Sequence, residues 1–181
     1  MAIAVPPVTP GTMPAPVAEA EASAPRSLAI ICYSGDLEKT WAAMILASSA
    51  GAMAMPTKVF VTFWGLQTFV KPGKWVMGET WMQKMLSIMS RPGIAHRKLS
   101  KMNFLGMGPW MMRTLARKYN VSSPKELLEM AQLMGVEFVP CQMTMDMFGI
   151  KYEDLIEGMG EPVGAATYLG FVADGASPLF I

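Results

Sequence analysis

Residues 135–150 read GVEFVPCQMTMDMFGI, and the succession of residue types in this stretch sets the architecture. Residues 136–139 (VEFV) are short, apolar and β-prone, as in a buried strand. Pro140 cannot donate to a sheet ladder, so the strand is predicted to stop there. Cys141 then falls just past the strand's carboxyl end. Residues 142–148 turn into a short helix that Gly149 closes. In an open α/β sheet, ligands and chemistry collect at that end of the strands. A cysteine at a helix start also lies near unpaired backbone N–H groups and the positive end of the dipole, both of which favour thiolate. Free cysteine is equally among the most buried and inert residue types. Local chemistry leaves both readings open.

Working outward, the same strand-and-helix alternation recurs. Upstream, Ser123-Pro124-Lys125-Glu126 has Pro at the first helical position and a Ser/Glu capping box, so a helix is predicted from there to Gly135. Residues 28–33 (LAIICY) form a continuous apolar run, as in a central parallel strand. Ser34-Gly35-Asp36 turns the chain, with Ser34 or Asp36 placed to cap a helix over residues 37–55. Residues 57–64 (TKVFVTFW) read as a second strand. Downstream, residues 151–158 (KYEDLIEG) read as an exposed acidic turn or short helix. Residues 164–173 follow as a helix, and 178–181 (PLFI) as a terminal edge strand. The alternation predicts an α/β fold with a parallel sheet.

The formal net charge of +1 conceals a segregation. Residues 71–118 hold ten Lys/Arg against the single acid Glu79, a net of +9; the remaining five basic and thirteen acidic residues net −8. Opposed blocks of this kind point to a surface with a function of its own. The basic block lies in an excursion over residues 65–120, which holds eight of the nineteen Met and three of the five Trp. Within it, Trp81, Met82, Met85, Leu86 and Met89 share one helical face, with Arg91-Pro92-Gly93 as its stop. A second helix is predicted from Pro109 or Trp110 to Tyr119, with Met111, Met112 and Leu115 apolar and Arg113, Arg117 and Lys118 basic. The pair reads either as helices folded onto the core or a neighbouring subunit, or as a docking surface for an acidic partner or a membrane.

Several function classes are disfavoured. Two cysteines do not make a disulfide scaffold or a cysteine-only zinc site, and the lone His96 completes no metal set. No GxGxxG or Walker A pattern occurs, which argues against a nucleotide cofactor. No recognition motif accompanies the basic block, which argues against nucleic acid. Residues 41–57 are uncharged but at the short limit for a membrane span, and Pro56 interrupts them. Residues 1–26 are rich in Ala and Pro and lack the basic and apolar regions of a secretory signal, so a disordered tail is expected. The chain is predicted to be cytoplasmic, with membrane association through the insert as the variant reading.

The segments VPCQMTMDMFGIKYEDLIEG and GAATYLGFVADGASPLFI resemble the carboxyl half of the DsrE/DsrF-like family, and more narrowly its DsrE2 subgroup. That subgroup is often labelled peroxiredoxin-like although it lacks peroxiredoxin architecture. SGDLEKTWAAMILASSAGAMAM with VFVTFWGL is similar to its first βαβ unit. LSKMNFLGMGPWMMRTLARKYNVSSPKELLEMAQLMGV resembles its basic, Met-rich insert. The resemblance spans residues 27–181 and implies a Rossmann-like, DsrEFH-like sheet flanked by helices, with an insert at 67–120. It also implies homo-oligomers and a role in sulfur relay with TusA-like or rhodanese-like partner proteins. No cofactor is implied beyond covalently carried sulfane sulfur. Cys141 falls at the position of the expected persulfide carrier. Cys32 is the candidate second thiol, sharing the sheet's mouth with Cys141 if their strands are neighbours, and otherwise a core residue. Gln142 and the backbone N–H groups of Met143 and Thr144 are candidates to stabilise the persulfide, with Ser34 and Gly35 as further binding residues. A docking scaffold built on the insert and a Cys32/Cys141 thiol oxidoreductase are the alternatives.

Overall fold

A computed structural model describes residues 27–74, 76, 78, 80–89, 93–94, 97–101 and 103–181. The first apolar run forms β1 (Leu28–Cys32), and α1 (Leu37–Ala52) follows the Ser34-Gly35-Asp36 turn. A turn through Ala54 in the left-handed region (φ 52°) then reverses the chain into β2 (Thr57–Val61). α5 (Pro124–Leu133) begins at the Ser123/Glu126 capping box, with Ser123 N donating to Glu126 Oε2 at 2.7 Å and Glu126 N to Ser123 Oγ at 3.3 Å. β3 (Glu137–Pro140), α6 (Gln142–Phe148), α7 (Ala165–Ala173) and β4 (Ser177–Phe180) complete the alternation. Four parallel strands take the order β3-β2-β1-β4, the Rossmann-like α/β sheet that the sequence predicts.

One expectation about strands needs correction. The second strand stops at Val61, because the chain bends over the carboxyl end of β1 and coils into α2 (Phe63–Leu66) and a 3-10 turn (Gln67–Phe69). Thr62 N donates to Cys32 O at 3.0 Å, and Gly65 packs so closely on that carbonyl that a Cβ would collide with it. β-prone Phe63 and Trp64 are thus overridden by a close backbone approach that only glycine permits. β3 stands last in the four-strand order, and its outer edge is bridged by Met159 and Val163, so Phe138 is fully buried as a buried strand requires. Glu137 reaches solvent and pairs with Lys58 at 2.8 Å.

Side chains alternate across the sheet and build two unequal cores. Ile30, Cys32, Val59, Val61 and Phe138 face the larger one, under α1, α5 and α6. Ala29, Phe60 and Cys141 face the smaller one, where α7 contributes Tyr168. Tyr168 Oη donates to Ala29 O at 3.2 Å, and its ring lies 5.4 Å from that of Phe60.

Within the insert, α3 (Trp81–Met89) and α4 (Met107–Lys118) form as the periodicity predicts. Trp81, Met82 and Met85 face solvent instead of the core. Gln83 holds α3 against α6, donating to Asp146 O at 3.1 Å and Met147 O at 3.3 Å. The acidic stretch after Gly149 forms a 3-10 turn (Tyr152–Asp154), but Asp154 is buried and paired with Lys74 at 2.6 Å. The tail at 1–26, the stop at Arg91 and Pro92, and His96 lie outside the described residues. Among the described residues, no helix is long and apolar enough to cross a membrane.

Candidate functional site around Cys141

Strand register decides where each thiol goes. Cys32 pairs with Val61, and Val61 with Pro140, so Cys141 lies one residue past the row that holds Cys32. One residue along a strand reverses the side-chain direction. Cys32 therefore points into the larger core and Cys141 into the smaller one, on the opposite face of the sheet. β1 and β3 are not neighbours, because β2 runs between them. Two strand spacings come to roughly 10 Å, beyond the Cα separation of about 7 Å that a disulfide tolerates. The condition for a resolving pair is not met.

Cys141 forms the junction of β3 and α6, and its N–H donates to Val61 O at 2.9 Å. Cys141 is 3% exposed, so of the two settings that the sequence leaves open the thiol takes the covered one. Part of the cover is a strap, residues 158–163, which runs parallel to β3. Gly160 N donates to Phe138 O at 2.8 Å, Val163 N to Pro140 O at 3.0 Å, and Gln142 N to Val163 O at 3.0 Å. Phe60 and Tyr168 belong to the same apolar cluster. Sequence reading did not find these neighbours, because contacts between distant segments leave no local signature.

The first turn of α6 is fixed by polar contacts on either side of the cysteine. Thr144, fully buried, shares a 2.9 Å hydrogen bond with Thr62 and accepts one from Phe63 N at 3.2 Å. Its hydroxyl thus ties α6 to the end of β2. Gln142 is exposed and turns its amide along the helix to Asp146, donating at 2.7 Å. Asp146 and Met143 are both exposed. Only the backbone N–H groups of Met143 and Thr144 keep the orientation of a helix's first turn, whose donors find no acceptor within the helix.

Cys32 is a different kind of thiol. It is fully buried, its sulfur 3.9 Å from Ser34 O, and burial pushes its pKa up to about 12. Ser34 and Gly35 sit at the end of β1, two strands from Cys141, and are not brought to it. Ser34 Oγ donates to Asp36 Oδ2 at 3.0 Å. A Cβ on Gly35 would stand 2.7 Å from Trp64 O and 3.0 Å from an Arg97 guanidinium nitrogen. Arg97 is a buried residue that sequence reading passed over as one of the basic block. It donates to Gly93 O and Gln67 O, both at 3.1 Å, and burial lowers its pKa to about 10 while Asp36 opposes that shift. Among the described residues, no group of three or more His, Cys, Asp and Glu could hold a metal ion.

A parallel sheet flanked by helices, with Cys141 at the junction of β3 and α6, defines a class that comparison with known proteins makes specific. The chain belongs to the DsrE/DsrF/DrsH-like family, whose pattern matches residues 24–180. It is 38% identical over 152 residues to the uncharacterized protein YrkE of Bacillus subtilis (strain 168), covering 84% of this chain and 94% of that one. It is 33% identical over 159 residues to the sulfur carrier protein DsrE2 of Allochromatium vinosum, covering 86% and 98%. Among solved structures, it is similar to the ychN protein of E. coli, at 12% identity and a TM-score of 0.49, over 86% of this chain and 99% of that one.

Proposed function

We propose that the protein is a sulfur-relay carrier that holds sulfane sulfur as a persulfide on Cys141. The observation that carries this reading is the contrast between the two thiols. Cys141 stands at the start of α6 beside exposed Gln142 and Met143, whereas Cys32 lies in the main core with its pKa raised to about 12. Membership of the family and similarity to a sulfur carrier support it.

In the loading step, the Cys141 thiolate attacks the outer sulfur of a persulfidated donor protein. The Cys141–S bond forms as the donor's S–S bond breaks, and the donor leaves as thiolate. Unloading is the same exchange in reverse: an acceptor thiolate takes the outer sulfur and Cys141 departs as thiolate. One thiolate is consumed and one released each time, so neither oxidant nor reductant is needed. The backbone N–H groups of Met143 and Thr144 donate to the bound persulfide, and the strap moves aside for each partner. TusA-like or rhodanese-like proteins fit as donor and acceptor, and the carrier is a cytoplasmic homo-oligomer with no other cofactor.

Reduced protein incubated with polysulfide tests this by intact mass. The expected result is a gain of about 32 Da per sulfur, reversed by reductant, in wild type and Cys32→Ser but not in Cys141→Ser. Loading of Cys141→Ser to the wild-type level would sink the proposal. A loss of about 2 Da that needs both cysteines would mark a disulfide oxidoreductase instead.

A further inference from the structure

α4 carries its apolar stripe on the outside. Pro109 is buried, Arg113 is half-buried with Nη2 3.5 Å from Arg97 O, and Ala116 packs on the larger core. These positions, i, i+4 and i+7, make the inner face. On the opposite side Met107, Met111, Leu115 and Lys118, at i, i+4, i+8 and i+11, face solvent, with Trp110 exposed at the flank. Just before the helix, Phe104 and Leu105 adopt left-handed φ values of 33° and 55°. Both are exposed, Leu105 completely. Bulky side chains rarely occupy that region of backbone space, and such strain concentrates where it serves a function.

Charge selects the occupant of this surface. From Arg97 to Lys125 the chain carries seven Lys/Arg and no acid. Of these, Lys98, Lys101, Arg117 and Lys118 are exposed, Arg117 and Lys118 on α4 itself and Lys101 three residues before the tip. A second copy docked face to face would oppose cations with cations. An anionic bilayer instead offers acyl chains to the stripe and phosphates to its basic rim. With no described helix long enough to span a membrane, the contact is one of lying on the surface.

We propose that α4 and the Phe104-Leu105 tip seat the protein on an anionic lipid surface. The helix lies in the headgroup plane, its apolar stripe at the acyl boundary and Lys101, Arg117 and Lys118 at the phosphates. This does not depend on Cys141 carrying sulfur, and Cys141→Ser should bind as wild type.

The test is co-sedimentation of the full chain with phosphatidylcholine vesicles, with and without phosphatidylglycerol, at low and high salt. Wild type should bind the anionic vesicles, and salt should release it. Each of Arg117→Gln and Lys118→Gln should weaken binding about fivefold. The double variant Met111→Glu with Leu115→Glu, confirmed as folded by circular dichroism, should lose it. Wild type that ignores anionic vesicles overturns the proposal, as does a folded double variant that binds fully. Light scattering that finds the double variant reduced to a smaller oligomer, with no vesicle binding by wild type, would reassign the face to a subunit contact. Capture of an acidic protein in the absence of vesicle binding would overturn it equally.

Discussion

At the scale of single residues, the two cysteines differ in what surrounds them, and pH makes that difference measurable. Folded Cys32 keeps its proton up to about pH 12, whereas the unfolded thiol begins to lose it near 9.0. Across that window the unfolded state binds fewer protons, so stability is full below pH 9 and falls as pH rises. The loss amounts to about 4 kcal/mol, at about 1.4 kcal/mol per pH unit. Urea unfolding should therefore show a steeper alkaline decline in wild type than in Cys32→Ala. Parallel declines would mean that Cys32 is not the group responsible. Cys141 was legible from sequence as the residue past the strand, because Pro140 and Gly149 punctuate that stretch unmistakably. What covers it was not, since the strap comes from residues 158–163.

Among elements, α6 is positioned by one buried hydroxyl. Thr144→Val keeps the volume but removes the partner of the Thr62 hydroxyl and the acceptor of Phe63 N–H. Leaving buried polar groups unpaired costs about 1–3 kcal/mol, so the urea midpoint should drop. Sulfur loading at Cys141 should slow as the helix start loosens. A variant as stable as wild type would show that water or a shifted side chain replaces the lost contacts. Caps and apolar periods announced most elements, including α5 with its full capping box. The exceptions share a cause. Local β-propensity at Phe63 and Trp64 lost to the close approach of Gly65, and the apolar period of α3 and α4 could not say which face turns inward.

For the whole molecule, the sheet separates two surfaces of opposite character. α4 is anchored on the side of the larger core, and α7 covers the smaller one. α7 has no charged residue and exposes Leu169 to solvent. Uncharged apolar surface of this kind suits contact between copies. Light scattering should give a mass that is a multiple of 19.7 kDa, and Leu169→Lys should lower it. A monomeric wild type would remove α7 from consideration. The sequence indicated a parallel sheet from its alternation, but strand order and register lay beyond it, and these place the thiols on opposite faces. For a carrier this separation acts as insulation. A persulfide within reach of a second thiol would discharge into it, releasing hydrogen sulfide and leaving a disulfide. With Cys32 behind the sheet, a persulfide formed on Cys141 as proposed would have no internal drain and would leave only by way of another molecule.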